Sequence, residues 1–247
     1  MKVINYIIAF FLCIPSLSSL ANEHLTHKSW NDLLQKHVND AGHVNYKSFK
    51  EDEEKLNDYL TVLSKNHPDK SWDKNDRLAF WINAYNAFTV KLIVKNYPVK
   101  SIKELGGAIY KVNTPWDIKF IKIGDEVYDL NNIEHTKIRK QFNDPRIHFA
   151  VNCASVSCPK LRNEAYIGDK VDDQLNDQAR YFISNKVKNQ IKSSKKAKLS
   201  KIFKWYKGDF TSSGKTIIEY INQFSDVKLD ADATIEFLDY DWNLNEK

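Results

Sequence analysis

The residues best suited to chemistry lie in one short segment, 146–159, which reads RIHFAVNCASVSCP. An apolar run leads there into a small polar loop that contains Cys153 and Cys158. A thiolate is a strong nucleophile when a neighbouring base or a helix N-terminus lowers its pKa. Cys153 is therefore a candidate nucleophile for an amide or ester carbonyl.

Two histidines near this loop in sequence are candidate bases. If the apolar run is a strand, His148 and Cys153 point to opposite faces, so they meet only if the strand ends near Asn152. His135 begins a helix of its own and has no such constraint. We therefore expect His135 to be the base, with His148 as the alternative.

A third group would have to orient the imidazole, and the candidates are Glu134, Asn83 and Asn86. The two asparagines lie three residues apart on one helix face, and buried amides need hydrogen-bond partners. They either orient the base or bind a substrate amide, or they tie the helix to a loop backbone, which is the simpler role. Asp209 and Asp241 are further candidates, although each is more simply a turn or cap acid.

A Cys153–Cys158 disulfide is the structural alternative to a catalytic thiol. The four intervening residues can bring the two sulfurs together, and so small a loop stabilises the fold by only roughly 2 kcal/mol. A redox-labile pair is a third interpretation. Two cysteines and one nearby histidine leave a tetrahedral metal ion one ligand short, so we expect no metal.

The N-terminus has the pattern of a signal peptide. Lys2 precedes an uncharged stretch over residues 3–20, and Ser19-Leu20-Ala21 fits signal peptidase cleavage. We therefore predict a signal peptide over 1–21 and a periplasmic or secreted mature chain, in which two cysteines remain and a disulfide can form. No later segment approaches the roughly eighteen apolar residues of a membrane span, so we expect no transmembrane segment in the mature chain.

Composition and motifs exclude several functions. A net charge of +5 is modest, and few aromatics interleave the lysines of segment 186–204, so we expect no nucleic-acid partner. Phosphate-binding glycine loops, the Gly-x-Ser-x-Gly elbow, His-Glu-x-x-His and Cys-x-x-Cys are all missing from the sequence. Nucleotide binding by a P-loop or Rossmann mechanism and zincin proteolysis are therefore disfavoured, and we expect no cofactor.

The elements that must position these residues are read from hydrophobic periodicity. Helices are predicted over 30–39, 51–64, 75–96, 133–141, 172–189 and 216–224. Strands are predicted over 43–46, 147–151, 199–206 and 234–240, with a hairpin over 118–129 around Gly124-Asp125. The helix over 75–96 has almost no polar face. We predict an α+β fold over 22–247, a single domain whose buried central helix packs on a small mixed or antiparallel sheet.

Five ordered motifs resemble the domain-of-unknown-function family 547, DUF547, over about residues 44–245. They are FWINAYNA at 80–87, IEH at 133–135, HFAVNCAS at 148–155 with Cys158-Pro159, WY at 205–206 with Asp209-Phe210, and YDWNLN at 240–245. The resemblance implies a single domain and singles out Asn83, Asn86, Glu134, His135, His148 and Cys153. In the plant-type pattern of the family the position of Cys158 is typically serine. This implies that Cys153 has a role beyond forming a disulfide with Cys158.

Two functions follow from these residues. The first is a Cys–His hydrolase or acyl-transferase of the papain or transglutaminase kind, in which Cys153 attacks a carbonyl and the N–H groups of Ala154 and Ser155 bind the oxyanion. The second is a non-catalytic module of the cell envelope that binds a peptide, a glycan or an envelope protein. In that case the bridge to Cys158 braces the binding surface.

Overall fold

A computed structural model describes residues 25–106 and 114–247 of the chain. The predicted signal peptide over 1–21 lies outside the described residues. Within those two ranges, the helices are all too short or too polar to cross a lipid bilayer.

The N-terminal half is helical: α1 spans Lys28–His37, α2 Tyr46–Glu51, α3 Glu53–Lys65 and α4 Lys74–Asn96. The helices predicted over 30–39, 51–64 and 75–96 are thereby confirmed to within two residues at each end. The strand predicted over 43–46 is wrong. Only Val44 forms isolated bridges, and the Asn45 side chain accepts a hydrogen bond from the Ser48 N–H, which starts α2 at Tyr46.

Helix α4 is buried along most of its length, as its apolar composition predicts. Its main neighbours are α3, the 3₁₀ turn Gly168–Lys170, α2, the π-helix described below and α6, so helices surround it more than strands do. The sheet predicted beside it is present only as a hairpin, which α4 touches through an edge-to-face contact of Trp81 with Tyr128.

That hairpin pairs β1 (Ile121–Ile123) with β2 (Glu126–Tyr128) in antiparallel register. Gly124 turns it with φ +61°, a conformation that favours glycine, so the prediction from Gly124-Asp125 is confirmed. A π-helix then spans Asn132–Arg139 and continues as α5 (Lys140–Phe142). The sequence predicted this helix but not its π geometry, which is frequent at functional sites.

The strand predicted over 147–151 is wrong, because a 3₁₀ helix spans Pro145–Phe149 there. Pro145 at its first position has the φ of a helix, and the Asp144 carboxylate caps the turn by accepting from the Arg146 N–H at 2.9 Å. The apolar run is buried as expected. Burial alone does not distinguish a short strand from a helical turn.

The C-terminal part contains seven elements: α6 (Val171–Ser184), β3 (Gln190–Ser193), β4 (Lys196–Leu199), α7 (Ile202–Trp205), α8 (Lys207–Phe210), α9 (Ile217–Asn222) and β5 (Thr234–Phe237). Strand β4 pairs antiparallel with β3 and parallel with β5, which gives a small mixed sheet. Three more 3₁₀ turns span Ile102–Leu105, Pro115–Asp117 and Gly168–Lys170.

Two predictions for this part were inexact. The helix predicted over 172–189 ends at Ser184, and the strand predicted over 199–206 is wrong for most of its length. The chain turns at Ser200, whose hydroxyl accepts from the Ile202 N–H and starts α7. Helices and two small sheets together confirm the α+β fold.

The core has two apolar clusters. One surrounds α4 and the other gathers phenylalanines around Phe149, including Phe182, Phe203 and Phe210. The segment from Pro145 to Pro159 runs between them, since Phe149 belongs to the second cluster whereas Ala150 and Val151 belong to the first. The cysteine loop is therefore anchored on both sides by packed side chains.

Candidate functional site

A cleft of about 180 Å³ lies beside the cysteine loop. Its aromatic walls are Tyr85, Trp116, Trp205, Tyr206, Tyr240 and Trp242. Four of the six predicted site residues also line it, namely Glu134, His135, His148 and Cys153. Residues from the π-helix, the 3₁₀ turn and the C-terminal segment thus converge on one surface.

Asn83 and Asn86 are not among the residues that line the cleft. Their side-chain amides instead form hydrogen bonds with main-chain groups. Asn86 donates to the Ala150 carbonyl at 2.9 Å and accepts from the Asn152 N–H at 2.9 Å. Asn83 makes the same pair of bonds with Tyr166, at 2.7 and 3.0 Å. Asn86 therefore fixes the start of the cysteine loop to α4, which is the structural role foreseen for these amides.

The loop itself closes through a Cys153–Cys158 disulfide, with 6.2 Å between the Cα atoms. Its tight reversal places Ala154 at φ +60°, an uncommon value for a residue with a Cβ. The buried Asn152 side chain supports that turn by accepting from the Ala154 N–H at 2.8 Å and donating to the Pro159 carbonyl at 2.7 Å.

The two sulfurs have different surroundings. Cys158 is buried, and its Sγ accepts from the Cys153 N–H at 3.0 Å, the Tyr240 hydroxyl at 3.2 Å and the Ser155 hydroxyl at 3.3 Å. Cys153 is half-buried, and its Sγ lies 3.5 Å from those same two hydroxyls. Cys153 is thus the more accessible sulfur, and Cys158 is the one that hydrogen bonds would stabilise as a thiolate.

His148 is buried and held on two sides. Its Nε2 lies 2.7 Å from Asp209 Oδ2, and its ring stacks on Tyr206 with 3.8 Å between centroids. Its Nδ1 is buried, and no residue in the described ranges forms a hydrogen bond with it. Burial lowers the pKa of His148 although the hydrogen bond to Asp209 opposes the shift, so the neutral imidazole is favoured.

His135 is fixed in a different way. The Arg139 guanidinium donates to its Nδ1 at 2.8 Å, which requires a lone pair there and leaves the ring proton on Nε2. The imidazole is 43 % exposed. Arg139 also donates to both oxygens of Asp209, at 2.6 and 2.8 Å, so one chain of hydrogen bonds joins His135 to His148.

Glu134 does not orient His135 as predicted. Its Oε1 lies 4.0 Å from His135 Nδ1, and Arg139 already occupies that nitrogen's lone pair. Within the described part of the chain, Oε1 is buried without a hydrogen-bond partner. Burial, the Glu134 charge and a hydrogen bond between the two side chains raise the pKa of Tyr206.

The acid that contacts a candidate base at hydrogen-bond distance is Asp209, which the sequence offered only as a further candidate after Glu134 and the two asparagines. Its pKa is lowered chiefly by the hydrogen bond from His148. Arg139 was missed, although its position four residues after His135 places both on one helix face. The side chains described here include no set of three His, Cys, Asp or Glu residues arranged to hold a metal ion.

Comparison with known proteins gives one match. Residues 70–183 match the model of a family described as "Protein of unknown function, DUF547". That span includes α4, the π-helix and the cysteine loop, and ends before Asp209 and the C-terminal aromatic residues. No curated protein and no solved structure matches the chain.

Proposed function

We propose that this chain, whose residues 70–183 match the DUF547 family, is a thiol hydrolase or acyl-transferase that uses the cleft once the Cys153–Cys158 bridge is reduced. Cys153 is the nucleophile, His148 the base and Asp209 the residue that orients the base. The family description names no activity, so these roles are assigned from the site.

The observation that carries the proposal is the state of the His148 ring. Asp209 holds Nε2, while Nδ1 is buried without a hydrogen-bond partner among the described residues, and His148 and Cys153 line the same cleft. A nucleophile, a neutral base and a carboxylate behind the base are the three parts of a triad. We therefore assign the base to His148 rather than to His135, whose Nδ1 is engaged by Arg139.

The bridge must first accept two electrons from an external dithiol. A thiolate of the dithiol attacks the half-buried Cys153 Sγ and expels the Cys158 thiolate, which three hydrogen bonds stabilise. The second thiol of the reductant then displaces Cys153 and leaves as a disulfide. Both cysteines are now reduced, and Cys153 faces the cleft.

Acyl transfer then follows the usual order of covalent catalysis. His148 Nδ1 takes the Cys153 proton, the thiolate attacks the carbonyl, and the same proton goes to the leaving amine or alcohol. Ala154 N–H is unsuited to bind the oxyanion, as it donates to Asn152 Oδ1. The Tyr240 hydroxyl is a better donor, because it lies 3.5 Å from Cys153 Sγ and burial raises its pKa and keeps it protonated. Its proton goes to Cys158 Sγ in the bridged protein, and a rotation of the hydroxyl turns it to the oxyanion.

The test is the pH profile of Cys153 alkylation in protein reduced with dithiothreitol, followed by mass spectrometry with iodoacetamide. We expect His148→Gln to slow alkylation at neutral pH by at least about 10-fold, the low end of a general-base contribution. His37→Gln is the matched control, since it removes a second buried, carboxylate-paired histidine, and we expect no change in its rate. Equal rates in wild type and His148→Gln would refute the assignment.

The second candidate is a non-catalytic module that binds a peptide, a glycan or an envelope protein. The Cys153–Cys158 bridge and the six aromatic walls of the cleft favour it. A binding surface formed by the bridge and these rings needs no free thiol. A bridge that dithiothreitol leaves intact in the folded protein would support this module over the enzyme.

We also propose that the chain is exported and folds as one domain over residues 22–247. The uncharged stretch after Lys2 and the cleavage pattern at Ala21 support export. The intact mass of protein recovered from the cell envelope or medium should correspond to a chain that starts at Asn22. Recovery of the uncleaved chain from the cytoplasm would contradict export.

A further inference from the structure

Glu134 is a buried acid with one carboxylate oxygen that lacks a partner. The residue is 5 % exposed and lines the cleft, and its Oε1 has no hydrogen-bond partner among the described residues. An unpaired carboxylate oxygen in a buried site is costly and rare. Of the cations on the π-helix, Arg139 already donates to Asp209 and His135, and Lys137 lies over the Trp81 and Tyr128 rings.

Aromatic faces form the rest of this part of the cleft. Trp242 contacts Tyr240, Trp205 and Trp116, with ring centroids 4.6, 5.9 and 5.6 Å apart. Trp205 is 47 % exposed, which is unusual for so large an apolar side chain. The face of such rings attracts cations, and the Lys103 ammonium indeed lies 4.0 Å above the Trp242 ring.

The Glu134 charge acts on the aromatic side chains of the cleft. Arg139 and Asp209 neutralise each other, and burial favours the neutral form of His148. Glu134 and the Lys103 ammonium above the Trp242 ring then remain as charges around the cleft. Together with burial, the Glu134 charge raises the pKa of Tyr85 and Tyr240, which line the cleft with it, as expected of a negative potential there.

We infer that the cleft binds a primary ammonium group of its ligand, with Glu134 Oε1 as the hydrogen-bond acceptor and the aromatic rings as the enclosure. A quaternary ammonium would satisfy the rings but has no N–H for the oxygen. A neutral sugar would leave the charge uncompensated. The inference deepens the proposed function, on which it rests for the identity of the cleft, by naming an amine-bearing substrate class.

The experiment uses the bridged protein, in which Cys153 has no free thiol, so its outcome is separate from that of the thiol chemistry. n-Butylammonium is titrated by calorimetry, with 1-butanol, tetramethylammonium and glucose as comparison ligands. We expect n-butylammonium to bind at least about 10-fold more tightly than each of the three, since 10-fold corresponds to one charge-assisted hydrogen bond.

Glu134→Gln keeps the shape of the side chain and removes its charge, and we expect it to weaken n-butylammonium binding at least about 10-fold. Glu51→Gln, an exposed site at the end of α2, makes the same charge change and should leave binding unaltered. Butanol, glucose or tetramethylammonium binding as tightly as n-butylammonium would overturn the inference. Unchanged n-butylammonium affinity in Glu134→Gln would overturn it too. If that variant does not fold, the comparison of the four ligands on the wild-type protein decides.

Discussion

Two buried histidines of this protein have the same local chemistry. His37 places Nε2 2.8 Å from Asp52, and His148 places Nε2 2.7 Å from Asp209. In both rings Nδ1 is buried without a hydrogen-bond partner in the described residues, and in both burial lowers the pKa. Both aspartates have a lowered pKa.

The difference lies in what surrounds each pair. His37 packs on the Phe49 ring at 4.4 Å, and the exposed Lys36 and Lys55 ammonium groups complete the coordination of Asp52. His148 lines a cleft with a sulfur, a carboxyl that has one unpartnered oxygen, and six aromatic walls. A buried histidine–carboxylate pair is therefore no evidence of catalysis by itself. What distinguishes His148 is its place in a cleft that Cys153 also lines.

The largest difference between the pairs should appear on removing each carboxylate. Asp209→Ala leaves the Arg139 guanidinium and buried His148 without their partner, and we expect it to lower the free energy of unfolding by about 3 kcal/mol. Asp52→Ala leaves lysines that water can solvate, and we expect a smaller loss, roughly 1–2 kcal/mol. Urea unfolding of both variants at pH 7 measures the difference.

Cys153 alkylation in the reduced variants provides the control for that comparison. Only Asp209→Ala should slow it. A larger stability loss in Asp52→Ala, or slower alkylation in that variant, would show that the two sites do not differ as described.

A third buried histidine sharpens the comparison through pH. His27 pairs with the neutral Tyr59 hydroxyl at 2.7 Å, and burial lowers its pKa from 6.5 to about 4. Below pH 6.5, His27 binds a proton in the unfolded chain but stays neutral in the folded protein. The free energy of unfolding therefore falls as the pH falls toward 4. We expect His27 to contribute a loss of roughly 2 kcal/mol between pH 8 and pH 5.

Urea unfolding at those two pH values, in wild type, His27→Gln and His37→Gln, tests this prediction. The loss should shrink most in His27→Gln, because Asp52 partly supports a protonated His37. An equal pH dependence in all three proteins would contradict it.

The smallest expected difference concerns the two asparagines of α4. Each holds one N–H and one carbonyl of a loop, so Asn83→Ala and Asn86→Ala should each cost about 1–2 kcal/mol. Only the Asn86 bonds reach the cysteine loop, at Ala150 and Asn152. We expect dithiothreitol to reduce the bridge severalfold faster in Asn86→Ala, and at the wild-type rate in Asn83→Ala, as followed by quenched alkylation. Equal rates would mean that Asn86 does not constrain the loop.

The sequence correctly predicted the elements of secondary structure that depend on local patterns. The apolar residues of α4 and the Gly124-Asp125 turn determined the central helix and the hairpin, and both are confirmed. The run from Ile147 to Val151 was correctly predicted to be buried but was wrongly predicted to be a strand, because Asp144 and Pro145 start a helical turn. That turn removes the opposite-face constraint that had favoured His135 over His148.

The roles of individual side chains depended on contacts between distant parts of the chain. Asp209 lies 61 residues from His148 and 70 from Arg139, so no spacing rule connects them. Tyr240 and Trp242 reach the cleft because the C-terminal segment pairs with the cysteine loop, through the bridge between Ser155 and Leu244. Trp205 packs on both of these rings. Motif content marked these segments without indicating which cavity they would share.

The most direct test of the central claim is acylation of Cys153 by p-nitrophenyl acetate. Reduced wild type should release a burst of p-nitrophenol and carry one acetyl group on Cys153 by mass spectrometry, while Cys153→Ser and the bridged protein should not, and His148→Gln should acylate more slowly. Absence of the burst in fully reduced, folded protein, or acetylation confined to lysines, would contradict a thiol acyl-transfer site.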